Sequence, residues 1–412
     1  MIRRATGARR LARLVLALVP TLAAVPAALT AQVRDTTAAR PDTSAAQDGI
    51  YDRPFIASLG RTAVGGYVEA NTNYFKEDGI GDGFSMEMRR FNIFLFSAIG
   101  SRIRFVSELE FEHGTEEIAL ETALLDVRVS PALILRGGVL LPPIGYLNQN
   151  HDSPRWNFVE RPLVTTEIIP TTLSEIGFGV LGKLFPGGLT LSYDLYVTNG
   201  LQDGVVGNAE GRTHLASGRS EELMAEDNNG SPAVSGRLAL ARPGRAEVGL
   251  SFYTALYNAF QVEGDVVDDE RRVTLLAVDG QATLGPAQIR AEVALADIDV
   301  PPSLEPIFAT RQWGGHLDVT LPVWKPRIGG QETPGELALD LRLEHVDLND
   351  GTFPSTGRDV RDEITAIVPG VSFRPVPDVV VRMNYRREWI DDFLGNPTAI
   401  RAGWQVGLAA YF

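Results

Sequence analysis

From about residue 63 onward, apolar and polar side chains alternate with a period of two. Across 189–198, Leu189, Leu191, Tyr193, Leu195 and Val197 oppose Thr190, Ser192, Asp194, Tyr196 and Thr198. Across 337–345, Leu337, Leu339, Leu341 and Leu343 oppose Ala338, Asp340, Arg342 and Glu344. Across 379–387, Val381, Met383 and Tyr385 oppose Arg382, Asn384 and Arg386. Each such row is a strand with one apolar face. The pattern predicts an all-β chain of about sixteen strands. They fall near 63–75, 85–99, 102–112, 117–129, 133–140, 174–184, 188–198, 233–241, 246–258, 271–283, 286–297, 310–323, 335–347, 361–374, 378–389 and 398–412.

Alternation alone does not say which face meets water. In IRFVSELEFE, residues 103–112, a soluble sheet would bury Phe105, Leu109 and Phe111, whereas a membrane barrel would turn them to lipid and enclose the charges. The connections favour the barrel. After odd-numbered strands they tend to be long and polar, as at 76–84, 141–173, 199–232, 259–270, 298–309, 348–360 and 390–397. After even-numbered strands they are mostly tight, as at 100–101, 130–132, 185–187, 242–245, 285–286 and 375–377; the run at 324–334 is the exception. Sorting by parity marks an antiparallel up-and-down transmembrane barrel, with short periplasmic turns and long outer loops. In IRAGWQVGLAAYF, the alternate residues Ile400 to Phe412 are all apolar, and Trp404, Leu408 and Phe412 resemble the signal read by the barrel-assembly machinery. Aromatic girdles at the membrane interfaces are expected from Tyr67, Tyr74, Phe75, Trp324, Trp389, Trp404, Tyr411 and Phe412.

The N-terminus supplies the route. Arg3, Arg4, Arg9, Arg10 and Arg13 precede an apolar run from Leu14 to Leu29, with small residues up to Ala31. This reads as a cleaved signal peptide over 1–31, followed by a flexible periplasmic leader over 32–60 and the barrel over 61–412. Beyond the signal, no apolar run approaches the ~18 residues of a membrane helix, so a spanning chain must use strands. The destination expected is the outer membrane of a two-membrane bacterium.

Composition mainly excludes. The 412 residues carry a net charge of −14 and no cysteine. No disulfide or thiolate site can form, and a nucleic-acid partner is disfavoured. Acidic outer loops, RSEELMAEDNNG and EGDVVDDE, suit divalent bridging to lipopolysaccharide as well as plain solvation.

The segment LRGGVLLPPIGYLNQNHDSPRWNFVERPL (135–163), followed by EIGFGVLGKL (175–184) and SYDLYVTNG (192–200), resembles the phosphate-selective porin O and P family. That resemblance implies a sixteen-stranded, trimeric outer-membrane barrel with a loop folded into its lumen. The family's basic pore lining is not matched. Asp and Glu number 52 against 38 Lys and Arg, and the lysines are Lys76, Lys183 and Lys325.

The connection at 141–173 is therefore expected to narrow the channel. Its candidates are Asn148, Asn150, His151, Asp152, Arg155, Glu160 and Arg161, with Arg155 and Arg161 favoured at the constriction because charges there bias which ions pass. His151 is expected to be a surface residue of the loop. The strands should add Arg104, Glu108, Glu110, Asp126, Arg128, Arg136, Arg290, Glu292, Asp340, Arg342, Glu344, Arg382, Arg386 and Arg401 to the pore lining. Such a mixed row gives modest selectivity. The expected function is passive diffusion of small hydrophilic solutes and ions, without cofactor or metal. An anion or phosphate channel is the alternative within that class. The others are a barrel enzyme, for which His345 beside DLNDG is the weak hint, and a structural barrel tied to the envelope through 32–60. No nucleophile motif accompanies any histidine.

Overall fold

The computed structural model describes Arg53, residues 57–59, and residues 61–412 apart from 82, 115, 220–226, 228, 331–332 and 354. The expected signal peptide at 1–31, most of the expected leader at 32–60 and most of the acidic run at 219–230 lie outside the described residues.

Sixteen long strands run in chain order: β1 Thr62–Glu77, β2 Ser85–Ile99, β3 Ile103–Glu112, β4 Glu117–Ser130, β5 Leu133–Leu140, β6 Glu175–Leu184, β7 Thr190–Thr198 and β8 Ala233–Arg242, then β9 Ala246–Leu256, β10 Arg272–Leu284, β11 Ala287–Ile298, β12 Arg311–Trp324, β13 Glu336–Asp347, β14 Glu363–Arg374, β15 Val379–Asp391 and β16 Ala399–Tyr411. Each pairs antiparallel with the next. Between β16 and β1 the register runs from Arg401↔Glu77 to Tyr411↔Tyr67 and closes the barrel. Closure leaves no unpaired edge, the condition for strands to exist in hydrocarbon. A short strand, Ala57–Leu59, pairs with the start of β1. The long and short connections fall largely at opposite rims, with 325–335 the long member of the short-turn rim and 113–116 the short member of the other.

Exposure settles the facing. On β13, Leu339, Leu341 and Leu343 are 49%, 37% and 43% exposed, whereas Asp340, Arg342 and Glu344 are 4%, 1% and 3% exposed. The apolar row points outward and the charged row inward, so the molecule is inverted relative to a soluble sheet. The same holds for β3, where Glu108 and Glu110 are buried inside and Leu109 points out.

Four bulges break the alternation; two lie near the turns, at Val129 and Val323, and two bear on the interior. Between β1 and β2, Glu69 pairs with Arg90 and Ala70 with Met88, so Arg89 is the extra residue. Between β3 and β4, Glu108 pairs with Thr122 and Leu109 with Leu120, so Glu121 is extra. A bulge re-aims its side chain. Both Glu121 and Thr122 are thereby buried on the inner side. The girdle assignment is corrected for three residues: Tyr67 is fully buried inside against Phe94 and Tyr411, and Phe75 packs under Arg401. Trp324 and Trp404 do face outward, at 61% and 50% exposed.

Candidate functional site

After Leu140, residues 141–174 turn into the barrel and return to β6. The loop is folded by its own polar groups. Asn148 Nδ2 donates to the carbonyls of Pro142 and Leu173, and its Oδ1 accepts from the Leu173 N–H, tying the two legs together. Asn150 Nδ2 donates to the Tyr146 carbonyl. These asparagines are 0% and 4% exposed, so they hold the loop's shape and do not line a channel, contrary to expectation. His151 and Asp152, at 1% and 2% exposed, are likewise removed from any surface.

The inner wall supplies the rest of the anchorage. Arg382 Nη2 donates to Glu69 and to Ser153 Oγ, both at 2.6 Å, and its Nη1 reaches the carbonyls of Ser153 and Trp156. Arg342 grips Asp318 in a two-pronged pair at 2.7 and 2.8 Å, donates to the Glu160 carbonyl and lies over the Phe158 ring. Asp340 Oδ1 accepts from Asn157, and Glu344 Oε1 accepts from the Leu163 N–H. Arg374 donates to the Pro154 and Trp156 carbonyls and to Asn157. Arg290 stacks on Tyr146 and Trp156, 5.0 and 4.6 Å from their ring centroids.

The remaining wall candidates are also engaged. Asp126 and Arg136 form a two-pronged pair at 2.8 Å, Arg386 bridges Glu344 and Glu388, and Glu110 meets Arg90 and Asn92. Glu292 is buried beside the loop backbone at Tyr146. Arg104 is half-buried on the same face. Arg128 and Arg401 are exposed near the two rims, the latter paired with Glu388. The predicted row is thus on the inner face, but the picture of side chains free to meet solute is corrected. Most of these charges are spent on one another and on the loop, because a buried charge must be paired. Glu108, expected only to line the pore, carries structure.

Glu108 is fully buried between Asn92 and Arg53, at 2.6 Å from each. Arg53 also donates to both oxygens of Asp152, and its guanidinium lies 3.9 Å from the Phe94 centroid. Hence the leader is not loose throughout: at Arg53 it is pinned inside the barrel. Asp152 further accepts from the Tyr411 hydroxyl, to which Arg155 Nε donates. Although burial opposes it, Arg53 and then Arg155 hold the Asp152 carboxyl well below the usual carboxylate range. For His151, burial likewise disfavours charge, yet Glu121 and Glu108 outweigh it and keep the imidazolium well above the ordinary histidine range.

Arg155, Glu160 and Arg89 stay partly accessible beside the loop, at 23%, 25% and 22%, as do Glu87, 3.6 Å from Arg89, and the Glu167–Arg212 pair. Glu160 pairs with Arg89 at 2.6 Å. Arg161, half-buried, donates to Thr172 Oγ1, and its Nη2 has no hydrogen-bond partner. Alternation missed Arg89 and Glu121 because both are bulge residues; the readable signal was a carboxylate standing in the lipid-facing phase of β4. His345 lies on the outer face, 5.1 Å from the Trp313 ring, with Nδ1 2.9 Å from Thr365 Oγ1.

No family model matches the chain. It is 28% identical over 349 residues to an uncharacterized protein of Aquifex aeolicus (strain VF5), covering 79% of this chain and 75% of that one. Among solved structures it is similar to the outer-membrane channel DcaP of Acinetobacter baumannii, at 12% identity and a TM-score of 0.53, covering 87% of this chain and 99% of that one. It is similar to the anion-selective porin from Comamonas acidovorans, at 12% and 0.51 over 85% and 99% of the two chains. It is also similar to outer-membrane expressed OmpT of Vibrio cholerae, at 13% and 0.52 over 87% and 100%. These likenesses establish the closed porin-type barrel fold.

Proposed function

We propose that the chain is an outer-membrane porin through which small hydrophilic solutes and ions diffuse passively. The observation that carries this reading is the loop at 141–174, held inside a closed barrel that is apolar outside and charged within, and flanked by the accessible groups Arg89, Arg155 and Glu160. In this reading no bond is made or broken. Water in the residual passage replaces the cost of crossing hydrocarbon, and the accessible charges bias the traffic. Because carboxylates and guanidiniums stand together there, with Arg89 between Glu160 and Glu87, selectivity is modest.

The reading extends to export through a cleaved signal peptide and insertion by the barrel-assembly machinery at Trp404, Leu408 and Phe412. It also extends to contact with lipopolysaccharide through the acidic loops and assembly as a homotrimer. The phosphate-selective form rests on the resemblance over 135–200.

Single-channel recording in planar bilayers tests the proposal, with reversal potentials in asymmetric salt. Purified, folded protein that never opens a conducting pore sinks the porin reading. Block by millimolar phosphate that disappears in Arg155→Ala and Arg161→Ala selects the phosphate channel, and indifference to phosphate selects the general one.

A further inference from the structure

The bulge at Glu121 aims a carboxylate across the lumen at His151 of the loop, where strict alternation would have sent it to lipid. One ligating atom each from Glu108, Glu121 and His151 lies within 4.8 Å of the others. The three side chains are 0%, 5% and 0% exposed, so they form a built interior cluster. His151 Nε2 stands 2.9 Å from Glu121 Oε2 and 3.7 Å from Glu108 Oε1. Neither Nε2 nor Glu121 Oε2 is aligned in a hydrogen bond, although both are buried.

The surrounding shell orients these atoms. His151 Nδ1 is 3.1 Å from the Asn148 carbonyl oxygen, which can only accept, so Nδ1 carries a proton and Nε2 is the nitrogen able to offer a lone pair. Arg53 holds Oε2 of Glu108 and Asn92 holds Oε1, which fixes the carboxylate with Oε1 toward the ring. Ligand atoms separated by about 3 to 4 Å are what metal bonds of roughly 2.0–2.2 Å produce at ordinary coordination angles.

We propose that Glu108, Glu121 and His151 form a binding site for a first-row divalent cation, with one imidazole and two carboxylates best suited to zinc. The ion takes the place of the proton on Nε2 and clamps the loop to β3 and β4. This site is independent of whether the barrel conducts.

The test uses the full-length chain purified in detergent, refolded with excess zinc sulfate, dialysed against metal-free buffer and assayed by elemental analysis. Parallel samples take cobalt and are read by the visible absorption of a bound Co²⁺ ion. Wild type is expected to retain one zinc per chain and to show the cobalt band. His151→Ala and Glu121→Gln lose both, while His113→Ala, at an exposed histidine, keeps both. Zinc-refolded wild type should also unfold at a higher temperature than protein refolded in EDTA, a comparison that needs no variant. Wild type without stoichiometric metal and without that shift shows an imidazolium–carboxylate pair only and overturns the proposal. Undiminished metal in His151→Ala overturns it as well.

Discussion

The interior has two halves that solve the same packing problem differently. Beneath the long-loop rim, Ile144, Val164, Ile168 and Ile169 of the first inward loop and Leu201, Val205 and Leu215 of the second pack against Tyr253, Val273, Leu275, Ala294 and Ala296 of the wall. Across the barrel, Glu69, Arg90, Arg382 and Glu108 of the wall form with Arg53 a network of ion pairs and hydrogen bonds that holds Ser153 and Asp152 of the loop. The first half is a soluble-type core placed inside a barrel, held by non-directional burial. The second is directional, so each partner fixes where the loop can sit. The difference teaches that the loop is located by charge on one side and immobilised by apolar contact on the other.

The charged half should break hardest. Arg382→Met takes from Glu69 the closer of its two cations, leaving Arg90 at 3.1 Å, and frees Ser153; it is expected to cost roughly 3–5 kcal/mol in urea unfolding. Adding Glu69→Leu should restore much of that, because an apolar replacement of a buried pair is often neutral; no recovery would show that Arg382 acts on the loop and not on Glu69. In the apolar half, Ile168→Ala is expected to cost roughly 2–5 kcal/mol with ion selectivity retained. A selectivity change there would mean the two halves are coupled. On the lipid face, Leu341→Arg should hamper assembly by roughly 2–4 kcal/mol for a charge near the bilayer midplane, read as loss of the heat-modifiable folded band. Arg53→Ala, which leaves Glu108 and Asp152 without their shared cation, is expected to raise conductance and shift the reversal potential toward cations. Unchanged currents would separate the leader from the passage. The smallest effect is at Glu160→Gln, where a shift of a few millivolts toward anions is expected.

Most of the wall was legible in the sequence, because a period-two row reports its facing directly once the membrane inverts the rule. The strand at 337–345 is the clearest case: every leucine is outside and every charge inside. Legibility failed where backbone geometry, invisible to composition, shifted the phase. Arg89 and Glu121 are bulge residues, so counting by twos misplaces them. It failed again for Asn148, Asn150 and His151, whose polarity suggested solvent but serves internal hydrogen bonds. Tyr67 and Tyr411 misled for a related reason. An aromatic near a strand end suits a girdle, yet these two lie in the inward phase, where the Tyr411 hydroxyl finds Asp152.

The seam between β1 and β16 has a consequence for how the molecule comes into being. Among the described residues, every other pairing in the wall joins strands that follow one another along the chain, whereas this one brings residue 67 to residue 411. Neighbouring hairpins can form early at small entropic cost, but the seam must wait for its two distant partners. Until it forms, both margins are open templates for foreign strands. Gly66 and Phe412 exchange backbone hydrogen bonds at 3.0 and 2.9 Å at one end of that seam, so the step that ends the search for register also removes the last exposed margin.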